Sequence, residues 1–252
     1  MTNGYKLRQL ALVARDLASV EADLSAIFGL EVAYRDPAVA KWGLENIVVP
    51  VGNQFLEVVA PTRPGTTAGR YLDRRGGDGG YMVILQTEDP RGRDARVAGL
   101  GIRTVHQILH SDYDGLQLHP RDTGGSFLEI DWAPGFAQPD GSWHPAGENW
   151  RTARRTEVAT GLLAAEIQTP DPGALAARWS AILGRPTDGQ SIPLDLGTLR
   201  FAGDQDGRGE GLGGIDIAVA DKAHVLREGE RRGRLAGKDM LLIGGTRFNL
   251  IA

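Results

Sequence analysis

An α+β fold built from repeated βαβββ modules is expected for this chain of 252 residues, and three features point to it. Phe55-Leu56-Glu57-Val58 returns as Phe127-Leu128-Glu129-Ile130, each time just after a polar hairpin turn. The spacing from Gln9 to Glu57 matches that from Met82 to Glu129 to within a single residue. A constant shift also superposes Asp16 on Asp171, Val20 on Leu175, Leu24 on Trp179 and Gly29 on Gly184. Self-similarity at a fixed period has to be read as architecture first.

In the first module, residues 10–14 form a short apolar strand that runs to Asp16, a good N-cap. Leu17, Val20, Leu24, Ile27 and Phe28 recur at helical spacing until Gly29 stops the helix. Strands are expected at 31–34, 45–51 and 54–60, the last two joined by the Gly52-Asn53 turn. The second module repeats the order: strand 81–87, a weakly amphipathic helix 89–100, then strands 102–110, 113–119 and 126–132. In the third, Asp171 caps and Pro172 occupies the first helical position, while Leu175, Trp179, Ile182 and Leu183 face inward before Gly184. The fourth has strands at 215–220, 239–243 and 247–251 and a helix from Asp221. Its Gly244-Gly245-Thr246-Arg247-Phe248-Asn249 echoes Gly124-Gly125-Ser126-Phe127-Leu128-Glu129. Four modules are thus expected, the last two shortened. Residues 1–135 and 157–252 are read as two domains. Residues 136–156, rich in Pro and Gly and holding Trp143 and Trp150, are read as a packed strap between them.

Composition narrows the function. Apolar residues make up 41% and charged residues 24%, as in soluble globular proteins. A net charge of −4 without a basic block makes nucleic acid an unsuitable partner. Apolar runs such as 47–51 are too short to cross a bilayer, so no membrane partner is expected. The stretch Met1–Lys6 lacks an apolar signal core, so a cytoplasmic location is expected. With no cysteine there is no disulfide, thiolate nucleophile or Cys-zinc site. Residues 209–214 formally fit G-x-G-x-x-G, but a strand follows where a dinucleotide site needs a helix.

Glu57 and Glu129 occupy equivalent strand positions, with Phe55, Val59 and Phe127 as same-face neighbours. A carboxylate over a concave apolar surface has a raised pKa unless paired, which suits proton transfer. Pairing around a 121–125 turn sets residue 117 opposite 129 and residue 119 opposite 127. Gln117, His119, Phe127 and Glu129 then share a face, and His119 becomes a candidate acid/base. His106 and His110 share a face of their strand and read as surface residues. Asn46 joins Phe55 and Glu57 on the first module's cavity face, where its amide can orient a substrate carbonyl.

Tandem βαβββ units with ligand-type side chains on the first and last strand of each resemble the vicinal-oxygen-chelate superfamily. Residues 10–29 and the Glu57 strand are similar to its glyoxalase-like members. The resemblance implies that modules pair into curved mixed sheets, with helices outside, around a hollow. It also implies a divalent metal ion held by Gln9, Glu57 and Glu129. Met82, a soft and weak ligand, stands where the family usually places His. At the matching positions of the last two modules stand Ala164, Phe201, Gly214 and Asn249, so no metal site is expected there.

The leading expectation is therefore lyase- or isomerase-type chemistry on a small oxygenated molecule. Glu57, Glu129 and His119 would be catalytic, and Asn46, Phe55, Met82, Gln117 and Phe127 would line the substrate site. Dioxygenase chemistry is disfavoured because no two-histidine, one-carboxylate iron site falls at the family positions. The alternative is metal-free sequestration of a small-molecule ligand, and a third is a structural module using the C-terminal half for contacts. Either a homodimer or closure within one chain fits four modules.

Overall fold

The computed structural model describes residues 4–252; Met1, Thr2 and Asn3, half of the stretch read for a signal core, lie outside the described residues. In chain order the first half contains β1 (Tyr5–Val13), α1 (Leu17–Phe28), β2 (Leu44–Val51), β3 (Gln54–Pro61), α2 (Thr67–Arg75), β4 (Gly79–Thr87) and α3 (Pro90–Gly99). It continues with β5 (Thr104–His110), β6 (Tyr113–Leu118), the one-turn α4 (Pro120–Thr123) and β7 (Phe127–Asp131). The second half contains β8 (Ala159–Gln168), α5 (Pro172–Leu183), β9 (Ser191–Pro193), β10 (Thr198–Ala202) and β11 (Gly211–Val219). It ends with α6 (Lys222–Arg231), β12 (Leu235–Gly237), β13 (Met240–Ile243) and β14 (Thr246–Ile251).

The helices begin and end where cap chemistry places them. Asp16 accepts from the Ser19 amide and Asp171 from the Ala174 amide, each satisfying a free donor of the first turn. Gly29 and Gly184 take the left-handed conformation that closes α1 and α5. Two elements differ from expectation. Residues 31–34 form only a bridge from Tyr34 to Val48, because Asp36 caps the Ala38 amide and Pro37 opens a 3-10 turn to Trp42. Between β3 and β4, where no element is expected, stands α2, capped by Thr66, whose hydroxyl accepts from the Gly69 amide.

Each half forms one mixed sheet of seven strands, in the order β2-β3-β1-β4-β7-β6-β5 and β12-β13-β14-β11-β8-β10-β9. β1 and β4 run antiparallel at the centre of the first, flanked by their parallel partners β3 and β7. β8 and β11 repeat that arrangement with β10 and β14. One face of each sheet joins a single apolar core. Leu10, Leu56, Val83 and Leu128 of the first sheet share it with α1, α5 and with Leu162, Ile167 and Ile215 of the second. Burying a side chain of this size stabilises the fold by about 1.5–3 kcal/mol. The sheets also touch directly: the buried Gln54 amide donates to the carbonyls of Leu7 and Leu162 and accepts from the Leu162 amide.

The opposite, concave face of the first sheet is covered at both ends. Residues 133–156 fold back over it, and Trp143, Ala146 and Trp150 pack on Val48, Phe55, Ile84 and Tyr113. α2 covers the other end, placing Ala68 and Leu72 on Val13, Val59 and Tyr81. Met82 packs against both groups and marks the floor between them.

Candidate functional site

Strand register decides which side chains meet. Gln9 pairs with Phe55 and Ile84, Ala11 with Glu57, Ile84 with Glu129, and Gln117 with Glu129. Since alternate residues share a face, Gln9, Glu57, Met82, Gln117, Phe127 and Glu129 all stand on the concave side. His119 leaves this row: β6 ends at Leu118, and the His119 ring caps α4, its Nδ1 accepting from the Arg121 amide at 3.2 Å. Pro120 turns the chain into that helix and carries the imidazole away from Glu129. Phe55 is on the expected face but lies beneath Trp143 and Trp150, so the strap rather than a ligand covers it.

Glu57 is gripped by two amides. Asn46 Nδ2 donates to Oε1 at 2.6 Å and Gln9 Nε2 to Oε2 at 2.9 Å. Neither amide is free to turn. Trp143 Nε1, which can only donate, takes Gln9 Oε1 at 2.7 Å, and the Asp36 backbone amide takes Asn46 Oδ1 at 2.8 Å. Gln9 and its neighbour both reach the strap because β1 bulges between Leu7 and Gln9, leaving Arg8 without a partner in the ladder. Arg8 slides between the Phe55 and Trp143 rings, 5.2 and 5.5 Å from their centroids, and donates to the Gly141 carbonyl at 2.7 Å. Burial pushes the Glu57 carboxyl above the usual carboxylate range, and the two amide bonds restrain the rise.

Across the floor, Glu129 and Asp131 are two residues apart on β7 and share the concave face. Asp131 is fully buried; its carboxylate accepts from the Tyr113 hydroxyl at 2.5 Å and from the Leu116 amide at 3.1 Å. Gly115 lies opposite, where a Cβ would stand 3.4 Å from Asp131 Oδ1 and 3.6 Å from Glu129 Oε1. Burial, reinforced by the charges of Asp131 and Glu57, lifts the Glu129 carboxyl well above its ordinary value. Burial lifts Asp131 to about 7, held down by its hydrogen bonds and by Arg93. Glu57 and Glu129 keep some surface open to solvent while sitting below the surrounding protein. The two acids thus differ in degree: two amide donors restrain the rise at Glu57, whereas neighbouring carboxylates add to it at Glu129.

Sequence reasoning did not find Asp131, although the alternation Phe127-Glu129-Asp131 carried the signal. Nor did it find Trp143 as a contact of Gln9, for which the local sequence has no signal. His106 was read as surface. It lies instead on the concave face, opposite Gln117 and two residues from Ile108, which packs toward the strap.

The second sheet repeats the hollow with different contents. Register places Arg200, not the expected Phe201, at the position of Glu57: Arg200 pairs with Glu166, as Glu57 pairs with Ala11. Phe201 turns inward against Trp179, because Leu199 and Phe201 are the core-facing residues of β10. Arg200 bridges Glu166 (2.9 Å) and Asp216, Arg247 holds Glu166 at 2.8 Å, and Asn249 donates to Asp216 at 2.8 Å. Two surface clefts, of about 320 and 560 Å³, lie elsewhere, and neither is lined by Glu57 or Glu129.

A model of the glyoxalase-like domain matches residues 10–183, more than half of the chain. The chain belongs to the glyoxalase-like domain family. That family is part of the vicinal-oxygen-chelate superfamily. Among solved structures, methylmalonyl-CoA epimerase of Streptomyces coelicolor in complex with 2-nitronate-propionyl-CoA is similar at 19% identity. The match covers 52% of this chain and 98% of that one, with a TM-score of 0.46. Methylmalonyl-CoA epimerase from Mycobacterium tuberculosis is similar at 20% identity, over 52% and 91% of the two chains, with a TM-score of 0.45. A comparison with curated proteins gives no match. Among the described residues no helix of this glyoxalase-like chain is long and apolar enough to cross a membrane.

Proposed function

We propose that the protein is a glyoxalase-like enzyme of the isomerase or lyase type, moving a proton at a carbon beside a carbonyl in a small oxygenated molecule. Its site is the concave face of the N-terminal half, residues 1–135, with the strap 136–156 as a wall and residues 157–252 as a buttress. The observation that carries this reading is the contrast between Glu57, held by two amide donors, and Glu129, set beside Asp131. Two carboxyl groups pushed apart in proton affinity supply a base and an acid in one hollow. Glu57 takes the proton from carbon. Glu129 delivers one to the opposite side of the same centre or to the developing enolate oxygen. Asn46 and Gln9 keep the Glu57 oxygens aimed.

The donor set does not fit a resident divalent cation. The oxygen of Gln9 is committed to Trp143, and both oxygens of Glu57 face N–H donors. Burial and the neighbouring carboxylates raise the Glu129 pKa, which works against cation binding, and among the described residues no three His, Asp or Glu side chains converge.

The test is solvent-deuterium exchange, followed by NMR, across a panel of small carbonyl compounds that carry an acidic C–H. Exchange on at least one member is expected to fall by about 10²–10⁴-fold in both Glu57→Gln and Glu129→Gln. A rate unchanged by both substitutions would refute the assignment. A second reading, sequestration of an apolar ligand, draws on Met82 and Phe127, the partly buried residues of the floor. Tight binding of a ligand together with no exchange on any compound would favour it.

A further inference from the structure

The two edges of the first sheet meet above its hollow. β2 and β5 are the outermost strands of that sheet, six strands apart in sequence of pairing. Yet Trp42, at the end of the 3-10 turn that leads into β2, lies edge-on to His106 of β5, with ring centroids 5.3 Å apart. The sheet is curved enough for its rims to touch, so this pair spans the space over the acids. His106 faces inward. Its neighbour two residues on, Ile108, packs toward the strap, and His110 stacks on His144 of the strap at 4.9 Å. His106 pairs with Gln117, and Gln117 with Glu129, so it stands two strands, or about 10 Å, from the acid.

Its Nε2 is buried and has no hydrogen-bond partner. Buried ring nitrogens in folded proteins are rarely left so, and an orphan of this kind asks for an explanation. Leaving such a group unpaired is unfavourable, and an incoming partner relieves it. The imidazole is also held neutral: burial, then the nearby Lys41 ammonium, lower its pKa. A neutral imidazole can donate to a carbonyl or accept from a hydroxyl, whichever the ligand brings. The opposite rim is aromatic, with the Lys41 ammonium 4.1 Å over the Trp42 ring. Phe127, supported from below by Tyr81 at 5.1 Å, continues the apolar lining on the floor.

We propose that His106 is a substrate-contacting residue of the hollow, its Nε2 bonding a hydroxyl or carbonyl oxygen on a ligand whose body is an apolar ring, with Trp42 closing over it. The proposal rests on the hollow being a ligand site and deepens the function read above by naming the class of molecule it takes. It does not depend on the acids performing chemistry.

The experiment compares two fluorescent probes of the same shape, 1-naphthol and naphthalene, titrated into the full-length protein. 1-Naphthol is expected to bind about tenfold more tightly. His106→Phe should remove that margin without weakening naphthalene, and His106→Gln, which keeps a polar nitrogen or oxygen in reach, should retain most of it. Trp42→Ala should speed dissociation of both probes alike. Equal affinities for the two probes in the wild type, or a His106→Phe variant that keeps the margin, would overturn the proposal. Repeating the titration in Glu57→Gln separates the two readings. An intact naphthol margin there, alongside absent deuterium exchange in the wild type, leaves His106 in place while the proton-transfer function fails.

Discussion

Removing one hydrogen-bond donor from the strap should loosen the grip on Glu57. In Trp143→Phe the ring still lies parallel to Phe55 and edge-on to Tyr113, but the Nε1 donor to Gln9 Oε1 is gone. Gln9 is 1% exposed, so its oxygen has no water to turn to. An acceptor stranded in this way costs about 1–3 kcal/mol. For a chain of this length each kcal/mol lowers Tm by about 2–4 °C. Urea unfolding followed by far-UV circular dichroism should show a lower midpoint with an unchanged slope. The partner substitution Gln9→Met removes the stranded acceptor. The double variant should therefore be more stable than the sum of the single losses, by a coupling of about 0.5–3 kcal/mol. A Trp143→Phe protein within about 0.5 kcal/mol of wild type, or strictly additive losses, would refute the idea that Trp143 fixes the Gln9 amide. The functional corollary is direct. A freed Gln9 can present its oxygen to Glu57, and two facing acceptors push the carboxyl pKa further up.

Three further outcomes can be checked. Asp131 has a folded-state pKa near 7 against an ordinary value of 3.8, so the folded protein holds a proton that the unfolded chain has released. Its contribution to stability is complete below about pH 4 and is lost as pH rises through about 7. Asp131→Asn should flatten the wild-type decline over that window, and parallel stability profiles would sink the assignment. Gly80→Ala places a Cβ 2.2 Å from the Leu212 carbonyl oxygen where the sheets touch, so a loss of at least about 1–3 kcal/mol is expected in thermal melts. Trp150→Ala empties the packing on Phe55 and should cost about 3–5 kcal/mol, whereas a smaller loss would mean that the strap collapses to fill the gap.

What could be read from the sequence was what local chemistry dictates. Asp16 with Gly29, and Asp171 with Gly184, bracket helices because a side-chain acceptor and a left-handed glycine solve the end problem within a few residues. The repeat of Glu57 at Glu129 placed both on one face because period-two alternation needs only the register of a hairpin, and the Gln117–Glu129 pairing is as expected. His119 failed by one step of that same alternation, since Pro120 ended the strand before it. α2 was obscured because Thr, Gly and Arg give it little apolar stripe, and its burial comes from Ala68 and Leu72 alone among its apolar residues. The contacts around the candidate site, Trp143 to Gln9 and Trp42 to His106, depend on how the sheet curves and where the strap returns. No window of sequence contains that information.

The second sheet keeps the basin and fills it with itself. Where the first basin offers Glu57 an open floor, Arg200, Glu166, Asp216 and Arg247 neutralise one another. A visitor there would have to part charges already content with each other, and stripping a partner from a buried pair costs about 3–5 kcal/mol. The doubled architecture therefore has one open basin rather than two, the second being closed by its own ion pairs.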